Sequence, residues 1–255
     1  MDRSHDEAPN KRVTMNNIEP PLKYYSHSVG NTELIVDNNN ISLYENGQSW
    51  MGLDLNTKWQ ANEFVFELSE ATGVCVTTGL GLGVIQTLLV QNANVTKVIV
   101  FEKNKSVIDI FLYNIEKNNF DISKLEIINV DADNIQDIVC DCMFLDHFEH
   151  EPEHEIIDRV KKISKNNTFN LLWYWPCIRH FSVFCSTNRL EISNKSFDIW
   201  KTVNGFEKLP KELNSLQLNN IMNLRNEYYS RSQNILDFQI QNQKNKLLSL
   251  FGSKK

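Results

Sequence analysis

Apolar residues change their spacing along this chain, and each change predicts a different element. Leu34-Ile35-Val36 and Ile41-Ser42-Leu43-Tyr44 are two short β-type runs, separated by the turn formers Asp37 to Asn40 and followed by Glu45-Asn46-Gly47. Such a pattern predicts a hairpin. Trp59, Ala61, Phe64, Val65 and Leu68 then recur at three and four, the period of a helix leading into a core. From residue 73 strands and helices alternate. Val74-Cys75-Val76 runs into Gly79-Leu80-Gly81-Leu82-Gly83, after which Val84, Ile85, Leu88 and Leu89 sit at helical spacing. This reads as strand, glycine turn, helix. Lys97 to Phe101 is a second strand closing on Glu102, and Val107, Ile108, Phe111, Leu112 and Ile115 form a second amphipathic helix. Leu125 to Val130 is a third strand ending on Asp131-Ala132-Asp133, and a fourth, around Val139 to Leu145, ends on Asp146. Pro152 marks the first position of a helix carrying Ile156, Ile157, Val160 and Ile163. Asn170 to Trp175 reads as a fifth strand and Phe181 to Cys185 as a further one, while the apolar positions between Leu213 and Leu250 suggest one or two terminal helices.

Strands alternating with helices imply a mostly parallel sheet with helices on both faces. Ligands of such sheets bind at the carboxyl ends of the strands. The organisation expected is a disordered arm at 1–17, a β-hairpin appendage at 18–58, an α/β domain at 59–190 and a C-terminal helical extension at 191–255.

Composition narrows the function classes. The chain has 255 residues, a formal net charge of -6 and 23% charged residues. No stretch approaches the roughly 18 apolar residues of a membrane span, and the first twenty residues lack the apolar segment of a secretory signal. A cytoplasmic protein with no membrane partner is expected. Five cysteines in a chain able to bury a real core call for no disulfides. Acidic balance argues against a nucleic-acid partner, since phosphate-backbone binding runs on clustered Lys and Arg. The stretch from Lys201 onward, with nine Lys or Arg against four Asp or Glu, reads as a solvated helical face. A small-molecule partner and a homodimer are the remaining expectations.

The glycine cluster is the strongest chemical signal. Glycines at alternate positions, directly after a strand and opening a helix, let a ligand approach the backbone and face the helix N–H groups. Glu102 ends the next strand a little over twenty residues on, where a carboxylate can accept both hydroxyls of a ribose. His147, His150 and His154, interleaved with Glu149, Glu151 and Glu153, raise a metal site, but Pro152 interrupts the helical face that would align them, so no metal is expected. Cys140 and Cys142, alternate on one strand with no second pair, read as packing.

The spacing Gly79-x-Gly81-x-Gly83, with Val76-Thr77-Thr78 before it, resembles class I S-adenosylmethionine-dependent methyltransferases and the related spermidine synthases. The resemblance spans about residues 60–175 and includes Val98-Ile99-Val100-Phe101-Glu102-Lys103 and Val130-Asp131-Ala132. It implies a Rossmann-like class I methyltransferase fold with S-adenosylmethionine held by Thr78, Gly79, Leu80, Gly81 and Gly83, by Glu102 and Lys103 at the ribose, and by Asp131, Ala132 and Asp146. Asp146, His147 and Glu149 stand where a proton-removing or orienting group for the acceptor belongs, and the ordinary imidazole pKa near 6.5 suits proton removal. Two departures matter. Thr77 replaces the acid many methyltransferases carry two residues before the first glycine, and Asp146-His147-Phe148-Glu149 lacks the hydroxyl residues of the spermidine synthase Asp-Ser-Ser-Asp or Asp-Ser-Thr-Asp motif. Methyl transfer to an unidentified acceptor is therefore expected. Aminopropyl transfer and a degenerate scaffold acting through protein partners stay open.

Overall fold

A computed structural model describes residues 22–38, 40–54, 68, 70–148, 151–215, 217–219, 221–223 and 226. The arm expected at 1–17, most of the helix expected from Trp59, Glu149, His150 and most of the terminal stretch lie outside these residues. The chain divides into two compact units, Met1–His147 and Phe148–Lys255. Among the described residues no helix is long and apolar enough to cross a membrane.

The first unit opens with four antiparallel strands in sequence order, β1 (His27–Val29), β2 (Thr32–Val36), β3 (Asn40–Glu45) and β4 (Gln48–Asp54). The hairpin expected from the sequence is the β2–β3 pair, which places Leu34 opposite Leu43 and Val36 opposite Ile41. β3 and β4 are joined by Asn46-Gly47, both at positive φ, the two-residue turn whose twist matches antiparallel strands. Alternate residues Leu34, Ile41 and Leu43 are buried. This sheet is fastened to a helix of the same unit. Asn114 Oδ1 accepts from the Tyr25 N–H at 2.7 Å, Asn118 both accepts from the Lys23 N–H and donates to the Lys23 carbonyl, and His27 stacks on Tyr113 at 3.9 Å.

The α/β elements follow. β5 (Gly73–Thr78) leads through the glycine turn into α1 (Val84–Gln91); β6 (Val95–Phe101) precedes α2 (Lys105–Asn118); β7 (Leu125–Ile128) leads to a short 3-10 turn, Ala132–Asn134; and β8 (Cys142–Leu145) closes the unit. The second unit contains α3 (Glu153–Asn166), β9 (Leu171–Tyr174), α4 (Cys177–Thr187) and α5 (Asn194–Asn204). In the first unit the strands lie in the order β7-β6-β5-β8, and the pairs β5–β6, β6–β7 and β5–β8 are parallel. Counting parallel-sheet strands by chain order, this is 3-2-1-4, the order of a Rossmann-like, doubly wound α/β fold. Burial explains which strands are central: Cys75 to Thr78 and Cys142 to Leu145 are buried at successive residues, on both faces, whereas β7 at the edge keeps Glu126 exposed.

Two readings are corrected. Phe181 to Cys185 is helix α4, not a strand: Cys177, His180, Phe181 and Cys185 are buried at helical spacing while Val183 is 40% exposed. A five-residue stretch with four apolar positions fits either period, and only its flanks decide. Pro152 precedes the first turn of α3 as its cap instead of occupying it. The first turn of α3 carries Glu153 and Glu155 and its last turn Lys165, as the helix dipole favours.

Candidate active site at the strand ends

The strand order reverses between β5 and β8, so the ligand crevice of this fold lies outside their carboxyl ends. Those ends carry Thr78-Gly79 and Asp146-His147, residues of one unit. Thr78 is fully buried. At Gly79 (φ +75°) a Cβ would collide with the Asp146 carbonyl, and at Gly83 (φ +75°) with the Phe111 ring, so both positions need glycine for conformation and for space. Gln86, in the first turn of α1, reaches back to donate to the Gly79 carbonyl at 2.9 Å and to Thr77 Oγ1 at 3.0 Å. Thr77 therefore serves the turn itself.

Glu102 is 8% exposed, and its two oxygens accept from the Leu80 N–H at 2.8 Å and the Asn104 N–H at 2.7 Å. The carboxylate thus staples the glycine turn to the end of β6. Each oxygen keeps a second lone pair, so hydroxyl donors can be added to this acid without breaking the staple. Lys103 is exposed, and its carbonyl, with that of Glu102, accepts from Asn129. Asp131 caps the 3-10 turn by accepting from the Asp133 N–H, and Ala132 is buried behind it. Leu80 is buried as well, which leaves the backbone of the turn as its polar face. The antiparallel sheet of the same unit reaches this region: Met51 Sδ lies 2.7 Å from the position a Cβ would take on Gly81, Asn104 donates to Glu45 at 2.9 Å, and the Tyr24 hydroxyl donates to the Leu82 carbonyl at 3.0 Å. A ligand approaching Gly81 from that side displaces only the end of a flexible thioether.

Asp146 and His147 differ in what they can do. Burial pushes the Asp146 carboxyl up to about 7. His147 is held at both ring nitrogens, Nδ1 2.6 Å from Thr78 Oγ1 and Nε2 3.3 Å from Asp133. The Asp133 carboxylate can only accept, which assigns the imidazole proton to Nε2 and makes Nδ1 the acceptor of the Thr78 hydroxyl, whose oxygen in turn accepts from the Asp146 N–H at 3.0 Å. This chain of bonds ties His147 to the ends of β5 and β8, while the Asp146 carboxyl keeps its proton towards the neutral range. Thr78 is named from the sequence only for the glycine turn and not for its bond to His147, and Asp133 is not named as a site residue; the alternation Asp131-x-Asp133 is its only trace. His154 is exposed on α3, and among the described residues no three His, Cys, Asp or Glu side chains are grouped to hold a metal ion.

No family model and no curated protein sequence matches the chain. Among solved structures it is similar to a spermidine synthase from Thermotoga maritima, at 13% identity and TM-score 0.41, covering 57% of this chain and 55% of that one. A spermidine synthase in complex with the transition-state analogue AdoDATO gives 13% identity, TM-score 0.41 and coverage of 57% and 54%. A small RNA methyltransferase gives 14% identity, TM-score 0.37 and coverage of 46% and 16%. The chain spans about half the length of the two synthases. The fold assignment rests on the strand order and on the strand–glycine turn–helix unit described above.

Proposed function

We propose that the chain is an S-adenosylmethionine-dependent methyltransferase acting on an acceptor whose proton must be removed. The observation that carries this reading is the pairing, at the strand-order switch, of a glycine turn stapled by a buried carboxylate with a second carboxyl whose pKa stands near 7. S-adenosylmethionine brings a sulfonium methyl already activated for displacement. The chain's part is then positioning, exclusion of water and proton removal. In this reading Gly79 to Gly83 present backbone to the ligand, Glu102 accepts ribose hydroxyls, and Asp131 and Ala132 face the adenine. Asp146 takes the acceptor's proton, with His147 fixing its place through Thr78.

The test is calorimetric titration with S-adenosylmethionine, S-adenosylhomocysteine and decarboxylated S-adenosylmethionine. Preference for the first two supports methyl transfer. Preference for the decarboxylated ligand moves the assignment to aminopropyl transfer, which the acids Asp131, Asp133 and Asp146 along the strand ends favour. Silence from all three leaves the scaffold reading. Glu102→Ala should weaken adenosyl binding by about 1.5–3 kcal/mol, the worth of a charge-assisted hydrogen bond; unchanged affinity would remove Glu102 from the site.

A further inference from the structure

The second unit holds a groove of about 370 Å³ that the proposed reaction does not use. Lys161 and Lys165, one turn apart on α3, rim it on one side, and Lys208, from the segment after α5, rims it on the other; Leu172 and Phe206 contribute apolar surface. A lysine row on an amphipathic helix is by itself a solvated face. Two features set this one apart.

First, the lysines converge from two separate segments onto one concavity, and among the described residues none of them pairs with a carboxylate. Among the described residues of the lining, Glu207 is the only acid against three lysines. Second, Lys208 Nζ lies 4.2 Å from the centre of the Phe169 ring, which holds its charge in place.

We propose that this groove binds a small organic anion, a phosphate or carboxylate carried on an apolar or planar body. The charged end meets Lys161, Lys165 and Lys208, and the body covers Leu172 and Phe206. A volume in the range of small-ligand pockets fits such a molecule and not a folded partner.

The experiment is titration of the full chain, followed by NMR or calorimetry, with phenyl phosphate, benzoate, inorganic phosphate and a short single-stranded oligonucleotide. Saturable binding of phenyl phosphate or benzoate, tighter than inorganic phosphate and weakened by salt, is expected; the stronger of the two names the anionic group. Lys165→Gln and Lys208→Gln should each weaken it about tenfold, the worth of one charge-assisted contact. Lys195→Gln, a lysine of α5 outside the lining, should leave it unchanged. All are read on variants whose circular dichroism and melting match the parent. No saturable binding, binding indifferent to the groove substitutions, equal affinity for inorganic phosphate, or oligonucleotide binding alone would each overturn the proposal. S-adenosylhomocysteine binding, measured on the same samples, reports on the strand-end site separately.

Discussion

Two titratable side chains, the half-buried Asp146 and the buried His180, give the chain pH dependences of opposite sign. The Asp146 carboxyl is raised by burial from the ordinary range near 4 to about 7, so between those values the folded state holds a proton that the unfolded chain releases. Stability contributed by the protonated form is complete below pH 4 and is lost as pH rises towards 7, to the extent of about 2–4 kcal/mol. Urea unfolding of Asp146→Asn between pH 4 and 8 should lack this decline, leaving the variant more stable than the parent at pH 8. A decline of equal size in both would show that the carboxyl is not the cause. His180 behaves oppositely. It is 4% exposed beside the Tyr174 hydroxyl, at 3.2 Å, and burial, with Arg179 nearby, lowers it to about 4. Its neutral form supports the fold above pH 6.5, and that support disappears as pH falls from 6.5 to 4, by about 3 kcal/mol. His180→Gln should flatten the acid limb of the melting profile over that interval while costing stability at pH 7.

At the scale of elements, the turn between β5 and α1 is the least substitutable piece of the chain. Gly79→Ala and Gly83→Ala each force an alanine to positive φ and drive its methyl into the Asp146 carbonyl or the Phe111 ring. A loss of about 2 kcal/mol or more is expected for each. Gly79→Ala is the harder case because its obstacle is backbone; chemical denaturation should rank it below Gly83→Ala, and Gly205→Ala, where a Cβ meets nothing, should cost least. This turn was legible in the sequence because three glycines after an apolar run have few other uses. The central strands were legible for the related reason that burial on both faces leaves an unbroken apolar run, as in Val74-Cys75-Val76. The β1 and β4 strands were not, since His27-Ser28-Val29 is too short and Gln48 to Asp54 too polar to show an alternation. The helix α4 was misread because its buried stripe is interrupted in sequence by His180 and Ser182, polar residues that are buried all the same. Within the site, Glu102 and Asp146 were visible as acids at strand ends, while the bond chain Asp133–His147–Thr78 was not. It joins three segments by side chains, and no spacing rule encodes that.

Charge provides the test that belongs to the whole molecule. The chain carries a net -6, and four of the acids in that count, Glu102, Asp131, Asp133 and Asp146, lie at the strand ends of its first unit. At pH 8, where Asp146 is ionised, a positive ligand gains from this field and a neutral one does not. S-adenosylhomocysteine is neutral overall, S-adenosylmethionine singly positive and decarboxylated S-adenosylmethionine doubly positive, so the three ligands form a charge ladder on one adenosyl body. Raising salt from about 0.01 M to 0.15 M shortens the screening length from about 30 Å to about 8 Å. Affinity should fall most for the doubly positive ligand, less for S-adenosylmethionine and least for S-adenosylhomocysteine. Asp146→Asn should make the first two slopes shallower and leave the third unchanged, because it removes a nearby negative charge without touching the glycine turn. Equal slopes for the three ligands would place the bound sulfur away from these acids. Direct contact between the sulfonium region and the β8 end would then have to be abandoned, even if adenosyl binding itself were tight.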